Sequence, residues 1–502
     1  MTVALPKVLG VETEYGILVR GADMDPITAS TMVVNAHREL RTAGWDHSTE
    51  APGTDARDAW EGVGEYPVVE DMMANRVLSN GARLYVDHAH PEYSTPECAS
   101  PTETVSHDVA GERIMRAAAA AASGLLPDGV SISLLKNNSD GKGNSYGCHE
   151  NYLVSRSVPF PEIARLMSVH LVTRMAFCGA GKVGGEHLHR GDPTFRVSQR
   201  SDFFEEPIGL ETTIRRPVVN TRDEPHAEPG RYRRLHVIAG DANMSQWATW
   251  MKLGTTALLL SALEDGAVPA WLTLADPVRA MHSVGRDTAL TDTVSLADGR
   301  RMTALDLQES LLGIASDWFE RTGAETLGGD TASVLVHWAE AVRTLRADPM
   351  LLADRVDWVA KLRLVRGYAN RHHCGWDDAR LKAIDLQYHE LDSSRSLSAR
   401  AGLREMVAPE VTATAVHQPP ASTRAYFRGE CISRWPSEVV SANWDHIIVV
   451  DGGVEYRVDM PEPLRGTREM VGGLLENCSS AAELLRRLGP SVVRVRDLEP
   501  GW

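Results

Sequence analysis

The stretch Lys7–Val19, KVLGVETEYGILV, alternates with the two-residue period of a β-strand and anchors the fold prediction. Glu12 and Glu14 then share one face of the strand, opposite to Val11 and Thr13. Two carboxylates on one face can hold a hard cation such as Mg²⁺ from one side of a sheet. Such pairs also occur as solvent-exposed acids, so this strand alone leaves both interpretations open.

The segment Asn80–Glu97, NGARLYVDHAHPEYSTPE, adds polar groups to the same kind of site. The alternation in its first half predicts a strand with Tyr85 and Asp87 on one face, and we expect Glu92 and Glu97 in a following turn. Carboxylate and phenol oxygens suit a hard cation, and Arg and Thr side chains suit phosphate oxygens. The candidate residues of this segment are Arg83, Tyr85, Asp87, Glu92, Thr95 and Glu97.

Two histidines occupy predicted strand positions further along the chain. His149 lies in GCHENY beside Glu150, and His236 lies in RLHVIAGDANM beside Arg234. Several carboxylates with one or two histidines, on separate strands, suit Mg²⁺ that bridges nucleotide phosphates. Each histidine taken alone is also compatible with a buried, hydrogen-bonded core position.

The secondary-structure pattern predicts an α+β fold. Alternating strands at 130–135 and 148–155 are interleaved with helices, such as the alanine-rich helix from Pro101 to about Ser123, and 304–395 is helical in several pieces. Gln418–Pro420 marks a plausible boundary. We therefore expect a large domain over residues 1–425 and a small C-terminal domain over 426–502.

The negative charge is concentrated in one segment. The chain of 502 residues has a formal net charge of −16. Between Asp46 and Asp71 lie eight acidic residues and one basic residue, which is a net charge of −7. Because this segment also contains several Gly and Pro residues, residues 42–72 are predicted to form a long, mobile acidic loop, either a functional lid or a solvated insertion.

The overall charge argues against a protein that coats nucleic acid or an anionic membrane. Residues 190–236 differ, with nine arginines, no lysine and eight acids. Arginine without lysine favours bidentate contacts to carboxylate or phosphate, although internal ion pairs are an equal alternative. Arg196 and Arg200 are candidates for stabilising a developing negative charge.

The chain has no features of an exported protein. Its first residues lack the apolar core of a signal peptide, and the apolar run 257–263 is far shorter than the roughly 20 residues that span a bilayer. The six cysteines are scattered without a CxxC pair, as expected for reduced thiols. We predict a cytoplasmic protein.

Three short motifs are set aside. Gly179-x-Gly181-x-x-Gly184 matches the dinucleotide fingerprint but follows a predicted helix rather than a strand. Ser133-x-x-Lys136 lacks the companion motifs of a β-lactamase. His372–Cys374 has no partner pair at zinc spacing and is better explained as a helix end.

Six longer motifs remain: VETEYG, NGARLYVDHAHPEYSTPE, KNN…GNSYGCHENYLVSR, FRVSQRSDFFE, NTRDEPHA and RLHVIAGDANMS. Together they resemble one family, the actinobacterial enzymes that act on the prokaryotic ubiquitin-like protein Pup. The family looks like an offshoot of the glutamine synthetase and carboxylate–amine ligase superfamily. The resemblance implies a curved antiparallel sheet, backed by helices, that forms a cradle for Mg-ATP and the Pup C-terminus.

The resemblance also implies roles for individual residues. Asp87 matches the catalytic aspartate of the family. Glu12, Tyr85 and Glu92 resemble its Mg²⁺ ligands, and Glu14, His149 and His236 are added to the metal site from strand geometry and the wider superfamily. Arg83, Thr95 and Trp444 resemble contacts to ATP, and Arg234 is a further candidate for the cofactor.

Two features favour the Pup deamidase/depupylase activity over the Pup ligase activity of the family. The segment reads DHAHPEYST rather than the DVGSHPEYAT typical of the ligase, and the acidic segment contains WDHSTEAPGTDAR, similar to a deamidase loop. The expected reaction converts the C-terminal glutamine of Pup to glutamate and cleaves the Pup–lysine isopeptide bond, in a pathway linked to the bacterial proteasome. A Pup–protein ligase and a non-catalytic nucleotide- or Pup-binding regulator are the alternatives.

Overall fold

The computed structural model describes residues 4–37, 41–57, 74–186 and 189–497. Within them the strands are β1 (Leu9–Glu14), β2 (Gly16–Arg20), β3 (Thr42–Trp45), β4 (Asn75–Leu78), β5 (Arg83–Asp87), β6 (His90–Ser94), β7 (Ser131–Leu135), β8 (Cys148–Ser155), β9 (Lys182–Val183), β10 (Phe195–Arg196), β11 (Phe204–Gly209), β12 (Arg216–Asn220), β13 (Tyr232–Val237), β14 (Thr293–Ser295), β15 (Arg301–Thr303), β16 (Val439–Ala442), β17 (His446–Asp451), β18 (Val454–Asp459) and β19 (Val492–Asp497). The helices are α1 (Pro26–Ala36), α2 (Pro101–Ser123), α3 (Phe160–Thr173), α4 (Met175–Cys178), α5 (Gln246–Glu264), α6 (Pro277–Arg286), α7 (Ala304–Thr322), α8 (Thr331–Ala347), α9 (Asp357–His372), α10 (Ala379–Tyr388), α11 (Pro409–Ala415), α12 (Ala425–Arg434), α13 (Arg468–Glu476) and α14 (Ala481–Leu488).

Eleven of the described strands form one large sheet in the order β13-β8-β1-β6-β5-β4-β3-β16-β17-β18-β19. Neighbouring strands are antiparallel except for β3 and β16, which are parallel. The predicted α+β class with a mostly antiparallel sheet is confirmed. None of the described helices is long and apolar enough to cross a membrane.

The helices cover the face of the sheet opposite to the candidate acids. Helix α2 begins at Pro101, with Ser100 as its N-cap accepting the Glu103 N–H at 3.0 Å, and it ends at Ser123 as predicted. Its buried residues pack with Leu84, Val86 and Tyr93 from the sheet. This packing leaves the other face of β1, β5, β6 and β8 available for polar side chains.

The first strand is shorter than predicted. The prediction of one strand over residues 7–19 is wrong, because the chain breaks at Tyr15 into β1 and β2, and β2 pairs with β7 outside the large sheet. The Tyr15 N–H donates to the Pro91 carbonyl at 3.0 Å. A Cβ atom on Gly16 would lie 2.4 Å from the Tyr146 hydroxyl, so glycine permits the close approach of Tyr146 where β2 begins.

The C-terminal segment has its own hydrophobic cluster but shares the sheet. Residues of α12, α13 and α14 pack with β16–β18 and also with Ala43, Trp45 and Val77 from β3 and β4. The pairing of β3 with β16 joins the two parts of the sheet. The division between residues 425 and 426 stays a prediction.

Candidate active site

Strand register brings the predicted acids together on one face of the sheet. Glu14 of β1 lies opposite Glu92 of β6, and Glu92 lies opposite Tyr85 of β5. Glu12 lies opposite His149 of β8. Because directly paired residues point to the same face, these side chains converge although they come from four strands.

The first cluster consists of Glu14, Asp87 and Glu92, with carboxylate oxygens within 4.8 Å of one another. The expectation that Glu92 lies in a turn is wrong. It is on β6 and is 2% exposed, because the chain reverses tightly after Asp87. Burial, together with the negative charges of Asp87, Glu14 and Glu12, raises the pKa of Glu92 well above its usual value. A cation would relieve this repulsion.

Glycine allows the neighbouring strand to approach the first cluster closely. The Gly147 N–H donates to Glu14 Oε1 at 2.8 Å. A Cβ atom at Gly147 would lie 2.3 Å from His149 Nε2 and 2.6 Å from Glu14 Oε1. The glycine of GCHENY is therefore part of the site, which the sequence analysis did not recognise.

The second cluster consists of Glu12, His149 and His236, whose potential ligand atoms also lie within 4.8 Å of one another. Asn151 organises it, because its Nδ2 donates to Glu12 Oε1 at 2.8 Å and its Oδ1 lies 3.0 Å from His236 Nδ1. His236 is 1% exposed, and its Nε2 has no hydrogen-bond partner among the described residues.

The electrostatics of the second cluster suit a metal site. Burial, together with the charge of Arg234, lowers the pKa of His236 well below its ordinary value, so its imidazole is neutral at pH 7. Burial opposes ionisation of Glu12, but the hydrogen bond from His149 and nearby positive groups outweigh it and lower the pKa of Glu12 well below its ordinary value. A neutral imidazole and an ionised carboxylate are the forms that bind metal.

A pocket lies beside these clusters, between the sheet and the C-terminal segment. Thr95, Arg234 and Trp444 all line it, together with His226 and Arg424, which the sequence analysis did not propose. The structure thus brings three predicted cofactor residues into one cavity.

Arg83 lies at the edge of this region within a stack of aromatic rings. Its guanidinium carbon is 3.8 Å from the centroid of Trp45 and 4.0 Å from that of Tyr85. Trp45 in turn meets Trp444 edge to face at 5.3 Å. The stack links a predicted phosphate contact to the C-terminal tryptophan.

The prediction of a mobile loop over residues 42–72 is wrong for the N-terminal end of this segment. Residues 42–45 are strand β3, and the following residues pack against the site. Glu50 accepts from Trp45 Nε1 at 2.7 Å and lies 3.8 Å from Arg83, while the Ala56 N–H donates to the Thr221 carbonyl at 2.7 Å. Long-range partners order a segment whose composition resembles a loop. The prediction for residues 58–72 falls outside the described residues.

Two further predicted residues have structural roles instead. Glu97 lies in the wall of the pocket, where it pairs with Arg424 at 2.8 Å and with Arg428. Arg196 is bound by Asp192 at 2.7 Å and Asp202 at 3.2 Å. Arg200 differs from these two residues. It is buried close enough to Glu14 to influence the pKa of that carboxyl, and the Nε of Arg200 has no hydrogen-bond partner among the described residues.

The three motifs that were set aside have no part in the site. Gly179–Gly184 follows α4 and contains the short strand β9 rather than opening a helix. Lys136 is buried, with its Nζ 2.7 Å from Asp108. His373 is the left-handed C-cap of α9, which confirms the helix end.

His446 joins the base of the acidic segment to the turn that carries Trp444. Its Nδ1 lies 2.8 Å from Asp445 Oδ1 and its Nε2 lies 3.0 Å from Asp46 Oδ2. Burial alone would lower the pKa of His446, but the hydrogen bonds and charges of Asp445 and Asp46 raise it to about 9. The protonated imidazole therefore forms ion pairs that join two chain segments 400 residues apart.

These ion pairs of His446 predict that the stability of the protein depends on pH. Since the pKa of His446 is about 6.5 unfolded and about 9 folded, its contribution is fully present below pH 6.5 and is lost as the pH rises to 9. We expect the free energy of unfolding of the wild type to fall by up to about 3 kcal/mol more than that of His446→Gln over this interval. Urea unfolding at pH 6 and pH 9 measures the difference, with His373→Gln as an exposed control. Parallel pH curves for wild type and His446→Gln would contradict the assignment.

Comparison with known proteins shows which family the chain belongs to. The family model described as Pup-ligase protein matches residues 7–448. A depupylase of Acidothermus cellulolyticus is 47% identical, over 96% of this chain and 99% of the relative. A Pup deamidase/depupylase of Mycobacterium tuberculosis is 43% identical with the same coverage. A Pup–protein ligase of Acidimicrobium ferrooxidans is 42% identical, over 93% of this chain and 98% of the relative.

Two solved structures resemble the chain over most of its length. The complex between Pup and its ligase PafA has a TM-score of 0.79 at 31% identity, covering 94% of this chain and 92% of that chain. The Pup ligase PafA in complex with ADP has a TM-score of 0.72 at 33% identity, covering 82% and 90%. With a family model that spans most of the sequence and relatives above 40% identity over nearly all of it, the chain belongs to the Pup-ligase protein family.

Proposed function

We propose that this protein is a Pup deamidase/depupylase, a hydrolase of side-chain amide and isopeptide bonds. The observation that carries the proposal is Asp87, an ionised carboxylate that clusters with two buried acids, beside a pocket. The names of the relatives that cover nearly the whole chain support the same activity. Both substrates present the same acyl carbon, that of the side chain of Pup's last residue, so one site can serve both.

We propose that the cofactor is ATP with Mg²⁺. The orphaned Nε2 of buried His236 and the raised pKa of Glu92 both fit cations held between the strands. The residues that would hold Mg²⁺ in the two clusters are Glu12, Tyr85, Glu92, Glu14, His149 and His236. The pocket lined by Thr95, Arg234 and Trp444 would hold the nucleotide, with Arg83 at its edge. A related ligase has been solved with ADP. Bound Mg²⁺ would supply positive charge that neutralises phosphates and the carboxylate cluster.

Asp87 acts on the acyl carbon, either by direct attack or by removing a proton from water. Burial opposes its ionisation, but the hydrogen bond from His88 and the charges of His88, His149 and Arg83 lower the pKa of Asp87 below its ordinary value. Asp87 is therefore ionised at neutral pH, as both routes require. Arg200, buried close to Glu14, is the arginine that remains available to stabilise a developing oxyanion.

The Pup–protein ligase activity is the second candidate, favoured by the likeness to PafA. The same acids would then hold ATP for phosphorylation of Pup's terminal glutamate before transfer to lysine. The segment DHAHPEYST and the acidic insertion favour the hydrolase. We also propose a cytoplasmic location, which the six free cysteines support.

One assay separates the candidates. The protein is incubated with Mg-ATP and Pup ending in glutamine, and in parallel with Pup ending in glutamate plus a lysine-containing protein, followed by mass spectrometry. We expect a gain of about 1 Da in the first reaction, which is the mass change from amide to acid, and release of Pup from a preformed conjugate. A new conjugate in the second reaction would support the ligase, and no product in either would support a binding protein.

A further inference from the structure

A histidine with an unusual backbone follows the proposed catalytic aspartate. Asp87 pairs with His90, so His88 and Ala89 alone connect β5 to β6. The φ angle of His88 is +50°, in the left-handed region that favours glycine. Non-glycine residues held in this region are uncommon and concentrate at functional sites. The position of His88 therefore calls for a functional explanation.

The side chain of His88 is in contact with Asp87. Its Nδ1 lies 2.9 Å from Asp87 Oδ2. An ionised carboxylate can only accept hydrogen bonds, so Nδ1 must carry the proton and donate. The contact lies at the open edge of the acid cluster, because the side chain of His88 is 63% exposed and that of Asp87 is 30% exposed.

The hairpin tip that carries this contact is held from both sides. Ser30 Oγ of α1 donates to the Ala89 carbonyl at 2.8 Å. The ring of His90 packs against that of Tyr146, with centroids 4.3 Å apart. These contacts fix the backbone of the tip, so the hydrogen bond from His88 has a defined direction.

We propose that His88 is a positioning residue for the hydrolysis, which donates from Nδ1 to Oδ2 of Asp87 and sets the orientation of that carboxylate. With Oδ2 held, Oδ1 is the oxygen that meets the acyl carbon or the attacking water. This inference rests on the proposed function. It also gives a reason for a histidine at a backbone position where glycine would be unstrained.

Matched glycine substitutions test the proposal. His88→Gly removes the donor and suits the left-handed backbone, so we expect a Tm equal to or above that of the wild type. We expect its kcat for deamidation to fall about 10–100-fold, with KM within about twofold. His373→Gly is the control, because His373 is exposed, has a φ angle of +51° and lies at the end of α9. It should keep the wild-type kcat.

Two polar variants separate positioning from other roles. Asparagine and aspartate both tolerate the left-handed backbone, but only asparagine can donate to Asp87. We expect His88→Asn to keep kcat within about threefold of the wild type and His88→Asp to be as slow as His88→Gly. This pair also decides the matter if the glycine variant has a lowered Tm.

The outcomes that would overturn the inference are distinct. A His88→Gly enzyme with kcat within about twofold of the wild type would show that the hydrogen bond does not matter. A folded His88→Asn enzyme as slow as His88→Asp would show that donation alone is not the role. The wild type is assayed first. If it fails to release ammonia from Pup ending in glutamine, the proposed function fails, whereas an active wild type with an active His88→Gly overturns the inference about His88 alone.

Discussion

Asp87→Asn is expected to lose deamidation and depupylation, with kcat falling about 10²–10⁴-fold. An amide at this position can neither attack the acyl carbon nor accept a proton from water. The amide retains the shape of the side chain and, at 30% side-chain exposure, leaves no large buried charge unpaired. The rate of amide-to-acid conversion is measured by mass spectrometry, and ATP binding by calorimetry.

The fold and the nucleotide affinity should remain those of the wild type. Asp298→Asn, an exposed residue of the β14–β15 hairpin, is the matched control and should retain full activity. An Asp87→Asn enzyme with a near-normal rate would remove Asp87 from the mechanism. A loss of ATP binding together with activity would instead indicate that Asp87 helps to hold the cofactor.

Glu97→Ala is expected to destabilise the protein by about 3–5 kcal/mol. Burial alone would raise the pKa of Glu97, but Arg428 and Arg424 lower it to about 2, so the carboxylate is ionised between two buried guanidinium groups. Its removal leaves both cations without their counter-charge. Arg428 also donates to the Trp444 carbonyl at 2.8 Å and to the Gly81 carbonyl at 2.8 Å, so the wall of the pocket should loosen as well.

Urea unfolding and the ATP affinity together test this prediction. Glu430→Ala is the control, since Glu430 pairs with Arg434 on the surface of the same helix that carries Arg428, and it should cost less than about 1 kcal/mol. Glu97→Gln keeps a hydrogen-bond acceptor, so its loss of stability should lie between those of Glu97→Ala and Glu430→Ala. Equal stability of Glu97→Ala and Glu430→Ala would mean that the buried ion pairs of Glu97 contribute little to the free energy of unfolding.

Local patterns predicted the parts of the site that depend on one strand at a time. The alternation around Glu12 and Glu14, and around Tyr85 and Asp87, placed these side chains on common faces, as the register confirms. The strand positions of His149 and His236 were also predicted from alternation. This works because the side-chain period of a strand is set by the backbone itself.

Partners far apart in the chain escaped prediction. Glu97 looked like a ligand beside HPEYST, yet its partners are more than 300 residues away. Trp45 lay in a segment with the composition of a loop, yet it packs on Arg83 and Trp444. Asn151 and Gly147 carry no signature of their own, and only the approach of β8 to β1 shows what they do.

By itself, then, the sequence determined the strand faces, the capped helix from Pro101 and the family, because these are encoded in short-range periodicity and contiguous motifs. The tertiary structure decided which acids face each other, which are neutralised by arginines, and where the C-terminal segment closes the pocket. The physical reason is that register and ion pairing depend on which strands and helices meet in space. Local composition does not carry that information.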